Sequence, residues 1–168
     1  MKTIGLLSDT HGFIDLQCLE FFQDVDEIWH AGDIGSIEVL NKLESFKPVR
    51  AVFGNCDDYN MRLRTKEHLR FFIEDLDVWM THIGGYPGKY APQVIEGIKL
   101  NPPKLFISGH SHILKVINDP KLNLLHINPG AIGNIGIHSV KTAIKFEIIE
   151  GKVQNLQIFE KKRKSIME

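Results

Sequence analysis

Apolar residues fall in short runs along this chain, and most runs stop at a glycine or a polar side chain. Ile4-Gly5-Leu6-Leu7 is nearly continuous, the pattern of a central strand covered on both faces. It ends in Ser8-Asp9-Thr10-His11-Gly12, and Leu16, Leu19 and Phe22 then recur at helical spacing. Glu27-Ile28-Trp29 predicts a second strand, running into His30-Ala31-Gly32-Asp33, and Ile37, Leu40 and Leu43 predict a second helix. Val49-Arg50-Ala51-Val52-Phe53 predicts a third strand, which leads into Gly54-Asn55-Cys56-Asp57. Residues 69–73 and 78–81 read as a hairpin around Glu74-Asp75-Leu76-Asp77, its second strand ending at His82. Residues 83–90, rich in Gly, Pro and Tyr, read as a loop. A helix over 92–98 stops before Asn101-Pro102-Pro103. Leu105-Phe106-Ile107 is another buried strand and ends at Ser108-Gly109-His110-Ser111-His112. Strands over 113–117, 122–127, 142–149 and 153–159 complete the pattern, with Asn128-Pro129-Gly130 turning between the second and third of them.

Five strand exits therefore carry Asp9 with His11, Asp33, Asn55, His82, and His110 with His112. Each has a plain structural role available, since Asp9 and Asp33 could simply cap the helices that follow. On extended backbone, positions i and i+2 point the same way, so each paired set is expected to face one point. Open α/β sheets place their binding crevice outside the carboxyl ends of the strands. Two carboxylates, an amide oxygen and four imidazoles exceed the needs of one tetrahedral ion. They suit two ions that share a carboxylate and keep positions for water and substrate. The mixed nitrogen and oxygen set fits Mn²⁺, Fe²⁺, Co²⁺, Ni²⁺ or Zn²⁺ better than Mg²⁺ or Ca²⁺.

Composition narrows the classes. At 168 residues, with 43% hydrophobic and 24% charged, the chain suits one domain over 1–168 with a sizeable core. A net charge of -1 gives no electrostatic case for stable nucleic-acid binding. Two cysteines, Cys18 and Cys56, make no disulfide framework. No apolar run approaches the ~20 residues of a membrane span, and the first one is too short for a signal peptide. A cytoplasmic location is the expectation. Lys161-Lys162-Arg163-Lys164 reads as a solvated charge run opening a frayed tail of ~8 residues.

Asp9-x-His11, Gly32-Asp33, Gly54-Asn55, His82 and Gly109-His110-x-His112 resemble, in order, the calcineurin-like metallophosphoesterases. Gly54-Asn55-Cys56-Asp57 and the short length are most similar to the small bacterial and archaeal phosphodiesterase branch. The resemblance runs from residue 4 to about 150. It implies a four-layer α/β/β/α sandwich of two mixed β-sheets flanked by helices. It also implies one divalent ion on Asp9, His11 and His112, a second on Asn55, His82 and His110, and Asp33 bridging both. Asp33 and Asn55 form its catalytic set with Asp57, which would orient its neighbours through hydrogen bonds. The implied reaction is hydrolysis of a phosphodiester by in-line attack of a hydroxide shared by the ions, with Mn²⁺ the expected metal. The implied partner is a small phosphate ester, nucleotide-derived esters included, and a homo-oligomer is left open. A phosphomonoesterase with the same site, or a non-catalytic interaction scaffold of the same fold, are the alternatives.

Three departures from the family pattern stand out. Cys56 occupies a position where many members have a histidine that protonates the leaving group. Gly84 stands where close relatives often have another histidine, and Ala131 follows Asn128-Pro129-Gly130 where serine is common. Of the remaining histidines, His30 and His126 read as hydrogen-bonded structural residues and His68 as a surface residue. His138 could reach the site from a Gly-rich loop. Tyr86, Lys89 and Tyr90 could contact a base or a phosphate.

Overall fold

The structure is a computed structural model that describes residues 1–164. Its first half runs β1 (Lys2–Leu7), α1 (Leu16–Phe21), β2 (Glu27–His30), α2 (Ile37–Phe46), β3 (Val49–Ala51) and α3 (Tyr59–Arg64). Then come β4 (His68–Ile73), β5 (Leu76–Thr81), the short β6 (Gly85–Tyr86) and β7 (Lys89–Tyr90), and α4 (Pro92–Leu100). The chain ends with β8 (Leu105–Ile107), β9 (Leu114–Asp119), β10 (Leu124–Pro129), β11 (Val140–Ile149) and β12 (Lys152–Lys162).

One five-stranded sheet has the order β12-β11-β1-β2-β3, with β1, β2 and β3 parallel and β11 antiparallel to β1. The other has the order β4-β5-β8-β10-β9, with β5, β8 and β10 parallel. The apolar runs are continuous because each central strand serves two cores. Ile4 and Leu6 of β1 meet Val78, Met80, Leu105, Ile107 and Ile127 between the sheets. Leu7 faces outward to the layer of α1 and α2, with Phe22, Leu40 and Leu43. Phe106 turns to the opposite outer layer, where α4 supplies Val94 and Ile98. Burying such a side chain contributes about 1.5–3 kcal/mol, so the two sheets and their helices form the four-layer sandwich as one packed unit. Among the described residues no helix is long and apolar enough to cross a membrane.

Several local expectations need correction. Leu16 is 64% exposed, and Cys18 takes its place beside Leu19 on the buried face of α1. The cap of α1 is Asp15, which accepts from Gln17 N, and that of α2 is Ser36, which accepts from Val39 N. Asp9 and Asp33 are thereby left for another role. Helix α3 had no apolar stripe to announce it, since Met61 is its only buried residue. Residues 85–90 pair as the small β6–β7 hairpin, and Asn128 and Pro129 finish β10 where a turn was expected. The supposed tail begins inside β12: Lys161 Nζ lies 2.8 Å from Asp15 Oδ2, and Arg163 donates to the His138 carbonyl. Residues 165–168 of that expected tail lie outside the described ones.

Candidate metal centre

The parallel strands of both sheets end at the same edge, and the backbone ladder continues past them. Asp9 N donates to Gly32 O, His11 N to Asp33 O, and Gly109 N to His82 O. These loops do not stay extended. Asp9, His11, Asp33, His110 and His112 all have positive φ, between 45° and 69°. The alternation argument for Asp9 with His11 and for His110 with His112 therefore fails, because left-handed backbone re-aims each side chain. Asp and His tolerate that region better than most residues, and such strain persists only where surrounding packing enforces it. Glycines supply the close approach. A Cβ on Gly32 would lie 2.5 Å from His82 Nδ1, and one on Gly54 would overlap Asp33 Oδ1.

The side chains converge nonetheless. Asp9, His11 and His112 have ligand-type atoms within 4.8 Å of one another, as do Asp33, His82 and His110. Asp33 Oδ2 stands between the groups, 3.2 Å from His82 Nε2 and 3.9 Å from His11 Nε2. Asp9, Asp33 and His82 are buried, while His110 and Asn55 are exposed, so the cluster opens to solvent on one side. Asn55 shares with His82 the lining of a crevice of about 160 Å³.

Hydrogen bonds leave specific atoms free. Asp9 Oδ2 accepts from Ser8 Oγ at 2.6 Å and His110 N at 3.2 Å, while buried Oδ1 has no partner. Asp33 Oδ1 accepts from Cys56 N at 2.8 Å, leaving Oδ2 toward the cluster. His82 Nδ1 lies 2.7 Å from Ala31 O. A carbonyl only accepts, so Nδ1 carries the proton and Nε2 presents a lone pair. That lone pair is buried, without a hydrogen bond, and faces Asp33 Oδ2. Two lone pairs meeting in a buried space call for a cation between them, and the mixed imidazole and carboxylate set fits a divalent transition ion. Charge balance agrees. Burial works to raise the Asp33 pKa, but the adjacent His82 ring and the Cys56 N–H hold it well below the usual carboxylate range. Burial likewise opposes ionisation of Asp9, yet the neighbouring His112 and His82 rings and the Ser8 hydrogen bond keep its pKa low.

Asp57, grouped with the catalytic candidates, does not face the cluster. Its buried carboxylate accepts from Ile34 N, Gly35 N and Gly54 N at 2.8–3.1 Å. It ties the exits of β2 and β3 together, so it is a positioning residue. Gly84 has no room for a side chain, because a Cβ there would lie 2.6 Å from Phe106 Cζ. His30 is structural, between Thr10 Oγ1 at 2.9 Å and Gly32 N at 3.1 Å. No hydrogen bond joins His138 to the cluster among the described residues. Sequence reading passed over Ser8, which steadies Asp9, and Arg62, which lines the Asn55 crevice and donates to Asp57 O. Ser8 beside a strand-end aspartate was a usable signal; Arg62 had none, lying on the unforeseen α3.

Comparison with known proteins places this arrangement. Residues 1–151 match the calcineurin-like phosphoesterase superfamily domain. A protein of Methanothermobacter thermautotrophicus described as a probable metallophosphoesterase is 35% identical over 136 residues, 76% of each chain. Among solved structures, a novel archaeal phosphodiesterase superposes with a TM-score of 0.74 at 23% identity, over 94% of this chain and 99% of that one. Vps29 of Entamoeba histolytica, complexed with Zn²⁺, gives a TM-score of 0.72 at 14% identity, over 96% and 99%. At these identities the two structural likenesses are likenesses of fold.

Proposed function

Because the chain belongs to the calcineurin-like phosphoesterase superfamily, whose members use divalent metals, we propose that it hydrolyses phosphodiesters at a centre for two transition-metal ions. Asp9, His11 and His112 would hold one ion and Asn55, His82 and His110 the other, with Asp33 shared and Mn²⁺ the metal of choice. The observation that carries this reading is the pair of buried, unpartnered atoms, Asp9 Oδ1 and His82 Nε2, 3.9 Å apart, with Asp33 Oδ2 3.2 Å from the second. Divalent ions supply Lewis acidity and a nucleophile at neutral pH.

The chain's own groups do the rest. Ser8 and the His110 amide fix Asp9, the Cys56 amide fixes Asp33, and Ala31 O sets the His82 tautomer. Such supporting contacts are typically worth 10–100-fold in metal affinity or activity. The exposed side at Asn55 and His110 admits the ester. The preference for diesters is supported by the fold shared with the archaeal phosphodiesterase. The test compares bis-p-nitrophenyl phosphate with p-nitrophenyl phosphate in Mn²⁺. Faster hydrolysis of the diester is expected, and faster hydrolysis of the monoester would replace this reading with a phosphomonoesterase. A protein that retains no divalent ion after reconstitution and cleaves neither ester would be a scaffold.

A further inference from the structure

Past His110 lies a second cavity, of about 250 Å³, between the β6–β7 hairpin and the ends of β8, β9 and β10. His110 belongs to both the cluster and the cavity wall, so a group attached to a phosphate at the centre can enter it. The wall is mostly apolar, with Ile83, Tyr86, Ala91 and Ile113. Lys115 Nζ sits 3.6 Å over the Tyr86 ring, a cation–π contact that holds both side chains in the wall.

One fully buried titratable group lines this cavity, His126 on β10. Its Nδ1 is 3.2 Å from Phe106 O, so Nδ1 is the donor and Nε2 keeps its lone pair. Among the described residues no group donates to Nε2. Asn128, two residues on, is already satisfied: it donates to Gly109 O and Ser111 Oγ and accepts from Gly130 N. Burial pushes the His126 pKa down to about 4, and the Lys115 charge adds to that against the Phe106 hydrogen bond, so the ring is neutral near pH 7. A buried acceptor without a donor costs stability that an incoming N–H recovers.

Resting on the phosphodiesterase reading, we propose that this cavity seats the organic substituent of the ester and selects a planar heterocycle with a lactam N–H, donated to His126 Nε2. The volume lies just under the 300–1,000 Å³ or so of drug-sized pockets and suits one ring system. Sugar hydroxyls would need several acceptors, and among the described residues of the wall His126 Nε2 is the one buried side-chain acceptor without a donor. The ammonium groups of Lys89 and Lys115 in the same wall favour carbonyl oxygens flanking that N–H over an amino group.

Two measurements test it. In ¹⁵N imidazole spectra of the protein, thymidine should shift the His126 Nε2 resonance and 3-methylthymidine, which lacks the ring N–H, should not. No shift with thymidine, or equal shifts with both, overturns the proposal. In kinetics, the p-nitrophenyl ester of thymidine 5′-phosphate should exceed its 3-methyl analogue in kcat/KM by about tenfold, the scale of one buried hydrogen bond. His126→Leu should abolish that ratio, and His126→Gln, which keeps an acceptor, should retain part of it. Equal rates for the two esters in a protein that hydrolyses bis-p-nitrophenyl phosphate refute the pocket alone. Failure to hydrolyse any ester refutes the phosphodiesterase reading, and the spectra then still decide the cavity.

Discussion

Asp33 has one carboxylate oxygen tied to the Cys56 amide and one turned to His82 and His11. Asp33→Asn removes a charge and sets an NH₂ against one of those neighbours. If Asp33 is shared by two ions, turnover should drop by more than the 10–100-fold or so typical of supporting residues, and more steeply than bound metal. Near-normal turnover in saturating Mn²⁺ would exclude the shared role. The neighbouring Cys56 matters through what it cannot do. Burial and the Asp33 charge raise its pKa, so it is a neutral thiol near pH 7 and a weak donor. General acid catalysis is worth about 10²–10⁴-fold, and its lack weighs most on leaving groups of high pKa. Across a series of aryl and alkyl diesters, kcat/KM should fall steeply with leaving-group pKa, and Cys56→His should flatten the plot. A flat plot in the unmodified protein would mean that another donor is already at work.

At the scale of elements, the centre depends on loops held to one another rather than on any single strand. Asp57 is the tie, accepting three amides from two strand exits. Asp57→Asn must turn an NH₂ toward at least one of those N–H groups, at a cost of about 1–3 kcal/mol. Denaturant unfolding should show that loss, and an unchanged midpoint would mean that the loops hold without it. The strands bearing these loops were legible because apolar runs such as Leu105-Phe106-Ile107 have only one economical place, buried on both faces. The polar residues at their ends were legible for the same reason, as breaks in those runs. Backbone hand was not legible: nothing in Asp9-Thr10-His11 announces a left-handed turn, so residues that the fold does bring together were singled out on faulty geometry. Helix α3 and the β6–β7 hairpin escaped because short, mostly exposed elements carry little periodic signal. Asp57 was expected to orient its neighbours through hydrogen bonds, but which amides it takes was not legible, because two of them come from another strand exit.

For the molecule as a whole, two buried histidines set an acid limit. Burial lowers the pKa of His30 to about 3 and of His126 to about 4, from an unperturbed 6.5. Below 6.5 the unfolded chain takes up protons that the folded one refuses, so stability falls as pH falls, by up to about 1.4 kcal/mol per unit for each histidine. Above 6.5 that contribution is fully present. Unfolding free energies of His126→Leu should therefore fall less steeply between pH 6.5 and 4 than those of the unmodified protein, and equal slopes would contradict the assignment. The position of β1 has a different kind of consequence. It lies between β2 and β11, pairing Lys2 with Ile148 and Leu6 with Ile144, while Gly133 N closes on Asp9 O. A ribosome adds about 5–20 residues per second, so β1 waits on the order of ten seconds for its second neighbour. Through that interval its free edge is open to wrong pairing. A chain stalled before residue 140 should remain protease-sensitive around β1, and protection there would show that β2 alone suffices. Completion of the first sheet thus waits for β11, and any ion that the centre takes up is expected to meet a chain already made past residue 149.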